Sequence, residues 1–140
     1  MGRFVAIDYG TKRTGIAVTD PLQMIATPLD TVPTHELMAF LSEYIRKEGI
    51  ERLIVGLPLQ MNYTQSGTLK FARQFAAAFK KRYPAIPVEW IDERFTSKLA
   101  AEAMISGGMK KSQRQKKEHH DRISAAIILQ SYLEQQNNIF

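Results

Sequence analysis

Three extended stretches follow one another at the start of this chain, separated by turns too short to hold a crossover. Residues 3–9 carry the apolar run Phe4-Val5-Ala6-Ile7 and then Asp8. Gly10-Thr11-Lys12-Arg13 reads as a turn, and residues 14–20 read as a second strand centred on Ile16, Ala17 and Val18. Asp20-Pro21 turns the chain again, into a third extended stretch at 23–31. A parallel partner needs a connection of a dozen residues or more, so strands joined this closely pair antiparallel. Proline cannot donate to a ladder, and Pro28 therefore predicts an edge position for the third strand.

The periodicity then changes. Leu37, Phe40, Leu41, Tyr44 and Ile45 recur at helical spacing, predicting a helix over 34–47 with Thr34 as its cap and Gly49 as its stop. Residues 52–56 form a short apolar run of the kind buried on both faces of a parallel sheet. A second helix is expected over 65–83, a fifth strand over 88–92, a helix over 96–106 ending at Gly107-Gly108, and a last helix over 118–135. An antiparallel meander of strands 1–3, followed by right-handed crossovers to parallel strands 4 and 5, gives a five-stranded mixed sheet with helices on both faces. That is the outline of an α/β, RNase H-like fold, and 140 residues suit one domain over 1–140.

Charge and composition narrow the function. A formal charge of +5 biases a small protein toward polyanions such as nucleic acid. With no Cys there is neither a disulfide framework nor a thiolate zinc site, which fits the cytoplasm. No apolar run approaches the roughly 18 residues of a membrane span, and the N-terminus is too soon polar for a signal peptide. No membrane partner is expected.

Three acids stand where chemistry is possible. Asp8 ends the first strand, and alternation puts it on the face of Ala6, opposite Ile7. It is either held by a cation, or it opens the turn by accepting from the Gly10 or Thr11 amide. Asp92 and Glu93 end the fifth strand, at the carboxyl end where α/β sheets place their ligands. Adjacent residues point roughly opposite ways, so one of the two faces Asp8 and Arg94 can neutralise the other. Alternatively the pair caps the following helix, beside Thr96 and Ser97. Asp121 shares a helical stripe with Ser124, Ala125, Ile128 and Tyr132; the alternative is an acid placed at a helix start for its dipole. Converging carboxylates offer only oxygen ligands, which suit Mg²⁺ or Mn²⁺ and two-metal phosphodiester cleavage.

Other residues could hold a substrate. Gly56-Leu57-Pro58 turns after the fourth strand, and Asn62 or Thr64 could hold a phosphate at the next helix start, or simply form a loop and cap. Lys110, Lys111, Arg114, Lys116 and Lys117, together with Lys12 and Arg13, could follow a phosphate backbone or form a solvated loop. His119 and His120 could assist proton transfer or lie exposed, and a zinc site there lacks its usual partner ligands.

Four stretches together carry a resemblance: Asp8 through Asp20, Ile54 through Asn62, Asp92-Glu93-Arg94-Phe95-Thr96-Ser97, and Asp121 through Leu133. In order and spacing they resemble the YqgF/RuvX family, also called Holliday-junction resolvase-like proteins or pre-16S rRNA nucleases. The resemblance implies an RNase H-like fold, catalytic and metal-holding acids at Asp8, Glu93 and Asp121, and maturation of the 5′ end of the small-subunit rRNA precursor. Its implied partner is nucleic acid, RNA ahead of branched DNA, within ribosomal precursor particles. Resolvase activity was suggested for the family by analogy with RuvC. The chain departs from the family pattern at Tyr63 and Glu118, where glycines are usual. Two other classes compete with a nuclease. Asp8-Tyr9-Gly10-Thr11 also resembles the phosphate loop of actin and sugar kinases, although those folds use two domains around a cleft. A lean three-acid site would also suit a non-catalytic, RNA-binding ribosome assembly factor.

Overall fold

The computed structural model describes residues 2–20, 22–57, 67–92 and 117–137, without the side chains of Leu57, Asp92, 117–121 and Asn137. The helix expected at 96–106 and the basic stretch up to 116 lie outside the described residues. The elements are β1 (Arg3–Asp8), β2 (Arg13–Thr19), β3 (Ala26–Pro33), a 3-10 turn (Thr34–Glu36), α1 (Leu37–Lys47), β4 (Ile50–Leu57), α2 (Gly67–Arg82), β5 (Val88–Asp92) and α3 (Lys117–Asn137).

The sheet order is β3-β2-β1-β4-β5. β1 pairs antiparallel with β2 and β2 antiparallel with β3, while β1–β4 and β4–β5 are parallel. The meander, the two parallel strands and the edge position of Pro28 are as the sequence predicts. β3 starts later than residue 23 because Asp20 organises a tight turn. Its carboxylate accepts from the amides of Leu22 (3.2 Å), Met24 (2.8 Å) and Ile25 (2.8 Å), and Gln23 takes a left-handed φ of 61°. These amides, Ile25 first, hold the Asp20 carboxyl below its ordinary range.

Alternation along the strands separates two cores. Val5, Ile7, Ile16, Leu53 and Val55 pack with Leu37, Leu41 and Phe79 on the face covered by α1 and α2. Phe4, Ala6, Ala17, Ile54 and Ile91 pack with Ala125, Ala126, Ile128 and Leu129 of α3 on the other. Each fully buried Leu, Ile or Phe contributes about 1.5–3 kcal/mol, so both faces are needed to hold the sheet. On that face Ala6, Ala17 and Ala26 stand among the larger Phe4, Ile54 and Ile91. Gly49, with φ of 81°, ends α1 as expected.

One local expectation is corrected. Thr34 is not the cap of α1: it begins the 3-10 turn, and no side-chain bond caps either helical start. Its hydroxyl instead donates to the Gly10 carbonyl at 2.6 Å, while its amide donates to the Lys12 carbonyl at 2.9 Å. The buried Thr14 hydroxyl lies 3.0 Å from that of Thr34. Thr34 has one hydroxyl hydrogen and gives it to Gly10, so Thr14 is the donor in this pair. The turn after Asp8 thus takes the polar group that a helix start would otherwise use. Thr34→Val keeps the shape and the amide bond to Lys12 and removes the two hydroxyl bonds; we expect a loss of about 1–2 kcal/mol, read from a urea unfolding curve.

Candidate active site

Asp8 is the last residue of β1 and is half-buried. In the register of the sheet it stands in a row running Thr31, Gly15, Asp8, Gly56, Ile91. Directly opposed residues share a face, so both immediate neighbours of Asp8 on its face are glycines. The carboxylate therefore stands at the carboxyl end of the central strand with no flanking side chain on either adjacent strand. A strand glycine often marks a close approach, and Gly56 is one: a Cβ there would lie 2.3 Å from Ile128 Cδ1. The register alone reveals that these two glycines flank the acid.

The direction of α3 follows from its contacts. Ile128 meets Gly56, in the row of Asp8, whereas Tyr132 meets Phe4 near the start of β1 with ring centroids 5.9 Å apart. The helix therefore runs antiparallel to β1, and its N-terminus lies at the Asp8 end. Asp121 is two turns before Ile128, roughly 10 Å along the axis, on the stripe of Ala125 and Ile128. The backbone thus brings positions 8 and 121 to one end of the sheet.

The far half of α3 is pinned by a polar chain. Arg52 Nη1 donates to the Tyr132 hydroxyl, which donates to Glu89 Oε1 at 3.0 Å. Arg52 also pairs with Glu89 at 3.1 Å and lies over the Phe4 ring, 5.3 Å from its centroid. Burial pushes the Tyr132 phenol above its ordinary range, so it stays a donor at neutral pH. Tyr132→Phe leaves the Arg52–Glu89 pair but removes both hydroxyl bonds. We expect about 1–2 kcal/mol of destabilisation in chemical denaturation.

The other candidates divide sharply. Lys12 is exposed on the turn after β1, and Arg13 begins β2, so both lie at the Asp8 end. Asp92 ends β5 opposite Leu57. Strand alternation puts Glu89 and Ile91 on the α3 face, and position 92 in register with Val88 and Trp90 on the other. Lys117, His119 and His120 belong to the first turn of α3. Asn62, Thr64, Glu93, Arg94, Lys110, Lys111, Arg114 and Lys116 lie outside the described residues. Among the described residues, no three acids or histidines group as ligands for a metal ion. Two of the three proposed ligands, Glu93 and the Asp121 side chain, are not among them.

The sequence model of the RuvX family, described as Holliday junction resolvase, matches residues 2–135. A relative from Bacteroides thetaiotaomicron named "Putative pre-16S rRNA nuclease" is 58% identical over 134 residues, covering 96% of this chain and 97% of its own. The chain belongs to the RuvX family. A relative of the same name from Phocaeicola vulgatus is 55% identical over 139 residues, covering 99% of this chain and all of its own. Among solved structures, Thermus thermophilus RuvC in complex with a Holliday junction substrate superposes with a TM-score of 0.62 at 17% identity, covering 96% of this chain and 97% of that one. A second RuvC structure gives 0.55 at 16% identity, covering 95% of this chain and 97% of that one. The mixed sheet of this RuvX-family chain is thus the RNase H-like fold of RuvC.

Proposed function

We propose that this protein is a metal-dependent nuclease that cuts phosphodiester bonds of structured nucleic acid, and that its task is 5′-end maturation of pre-16S rRNA in the cytoplasm. The observation that carries the reading is the setting of Asp8: a half-buried carboxylate at the carboxyl end of the central strand, between Gly15 and Gly56, with the N-terminus of α3 at the same end. The names of the relatives favour RNA, and the +5 charge suits a polyanion. A junction-cutting activity is the second reading, supported by the family description and by the junction bound to RuvC. Among the described residues no helix is long and apolar enough to cross a membrane.

The donor chemistry at this end fits a hard divalent cation. Asp8 offers carboxylate oxygens where both flanking positions lack side chains, and Glu93 and Asp121 would complete an all-oxygen set for Mg²⁺ or Mn²⁺. When bound, such ions supply activation of a water and stabilisation of the leaving oxygen. Lys12 and Arg13, on the turn held by Thr34, would position the substrate phosphate beside Asp8. Asn62, Thr64, Arg94, Lys110, Lys111, Arg114, Lys116 and Lys117 would extend that contact.

Strand alternation puts position 92 in the series of Val88 and Trp90, away from Ile91, and Glu93 is the acid we assign to the site with Asp8. The test is cleavage of a small-subunit rRNA precursor in Mg²⁺ by Glu93→Gln and by Asp92→Asn. Glu93→Gln should cut at least about a hundred-fold more slowly, equivalent to some 2.7 kcal/mol, and Asp92→Asn should stay within a few-fold of wild type. The reverse ranking would remove Glu93 from the site.

A further inference from the structure

α1 and α2 leave a groove of about 800 Å³ between them, on the face of the sheet away from Asp8. His35, Met38, Ser42 and Arg46 line one wall and Arg82 and Tyr83 the other. α1 starts beside the turn that follows Asp8, through the bond from Thr34 to the Gly10 carbonyl. It ends at the opposite pole, where Glu48 pairs with Arg3 of β1 at 3.5 Å. From His35 to Arg46 the groove extends about 16 Å along the helix.

Its far end is basic. Arg46 and Lys47 close α1, and Lys80, Lys81 and Arg82 close α2. Basic residues offset the dipole of any helix at its last turn, but here Arg46 of one such turn and Arg82 of the other line one groove. The groove also holds one acid, Glu43, which pairs with both Arg46 and Lys47. Among the described residues no acid pairs with Lys80, Lys81 or Arg82. Arg82 is also oriented: its guanidinium lies 5.7 Å from the Tyr83 ring centroid, and its Nε donates to the Tyr83 hydroxyl at 3.3 Å. That hydroxyl donates onward to Ser42 Oγ at 2.7 Å, which ties the two walls together. Phe79 packs on Tyr83 at 5.2 Å, so the ring serves as a support for the arginine.

We propose that this groove is a second nucleic-acid contact, which holds the phosphate backbone of RNA flanking the cut site as it passes from the Gly10 turn toward Arg46 and Arg82. The inference rests on the nuclease reading for the identity of the polymer. Charge and orientation carry the rest: Arg82 presents a planar guanidinium partly immobilised on Tyr83, which suits phosphate oxygens, and Arg46, its fork held by Glu43, adds positive charge to the same groove. Glu43 is the opposing charge that a bound phosphate must outweigh.

The test measures binding in the Asp8→Asn protein without metal, so that cleavage plays no part. The probe is a stem-loop RNA from the rRNA leader, and the comparison is the same protein carrying Arg46→Gln and Arg82→Gln. Affinity should fall about ten-fold, and the dependence of log K on log salt should become shallower by about 1–2. Lys70→Gln with Arg73→Gln removes equal charge from exposed positions of α2 outside the groove, and should change affinity less than two- to three-fold by the same electrostatic argument. Unchanged affinity in the groove variant, or an equal loss in the control, would overturn the proposal. Cleavage separates this from the nuclease reading. If the groove variant loses binding while the protein with Asp8 intact cuts no RNA in any metal, the groove stands and the nuclease reading falls. If that protein cuts and the groove variant binds normally, the nuclease stands and the groove falls.

Discussion

Asp8→Asn is expected to lower cleavage by about a thousand-fold or more, some 4 kcal/mol of transition-state stabilisation, while shifting the melting temperature by only a few degrees. Asn matches Asp in size, and the positions beside it in the sheet are Gly15 and Gly56, so packing has little reason to change. What disappears is the negative charge that a divalent cation requires. Thr34 helps hold the turn after Asp8, through the Gly10 and Lys12 carbonyls. Single-turnover cleavage alongside a thermal melt separates the two effects. Cutting near the wild-type rate by a folded Asp8→Asn protein would remove Asp8 from the chemistry. Loss of folding instead would mean that the carboxylate is structural.

Gly56→Val should be the most damaging single change to stability among the described residues of the site. Its Cβ would lie 2.3 Å from Ile128 Cδ1 and 3.1 Å from Cγ1, and Ile128 is only 1% exposed. Overpacking of this kind costs about 1–3 kcal/mol for one added group, and Val adds two more methyls, so a loss of about 3 kcal/mol or more is expected. Ile128 must give way, and the helix that bears it also carries Asp121, so cleavage should fall in the fraction that remains folded. Gly56→Ala isolates the cause. Alone it should cost about 1–2 kcal/mol, and Ile128→Val, which deletes the clashing Cδ1, should recover part of that loss. A double mutant no more stable than the sum of its singles would show that Ile128 is not the neighbour that matters.

Much of this fold was legible because the two hydrophobic periods are clean. Phe4 through Ile7 and Ile16 through Val18 alternate between faces, Leu37, Leu41 and Ile45 follow a helix, and short turns force the meander. Asp8, at the end of an apolar strand, could be singled out from the sequence alone. Thr34 could not be read correctly. Whether a hydroxyl caps its own helix or binds a carbonyl on a distant turn depends on what the fold brings near, here Gly10 and Thr14. The same holds for Arg52, Tyr132 and Glu89, which meet across long sequence separations. The place of Gly15 and Gly56 on either side of Asp8 is a matter of register.

The measurement that bears most directly on the central claim is cleavage of a labelled small-subunit rRNA precursor and of a four-way DNA junction, each in Mg²⁺, in Mn²⁺ and in EDTA. The account predicts cutting of the precursor near its mature 5′ end with either metal and none in EDTA, with the junction the poorer substrate. No cutting of either substrate with any metal, alongside salt-sensitive RNA binding that persists in EDTA, would contradict it and leave an RNA-binding assembly factor on a nuclease fold.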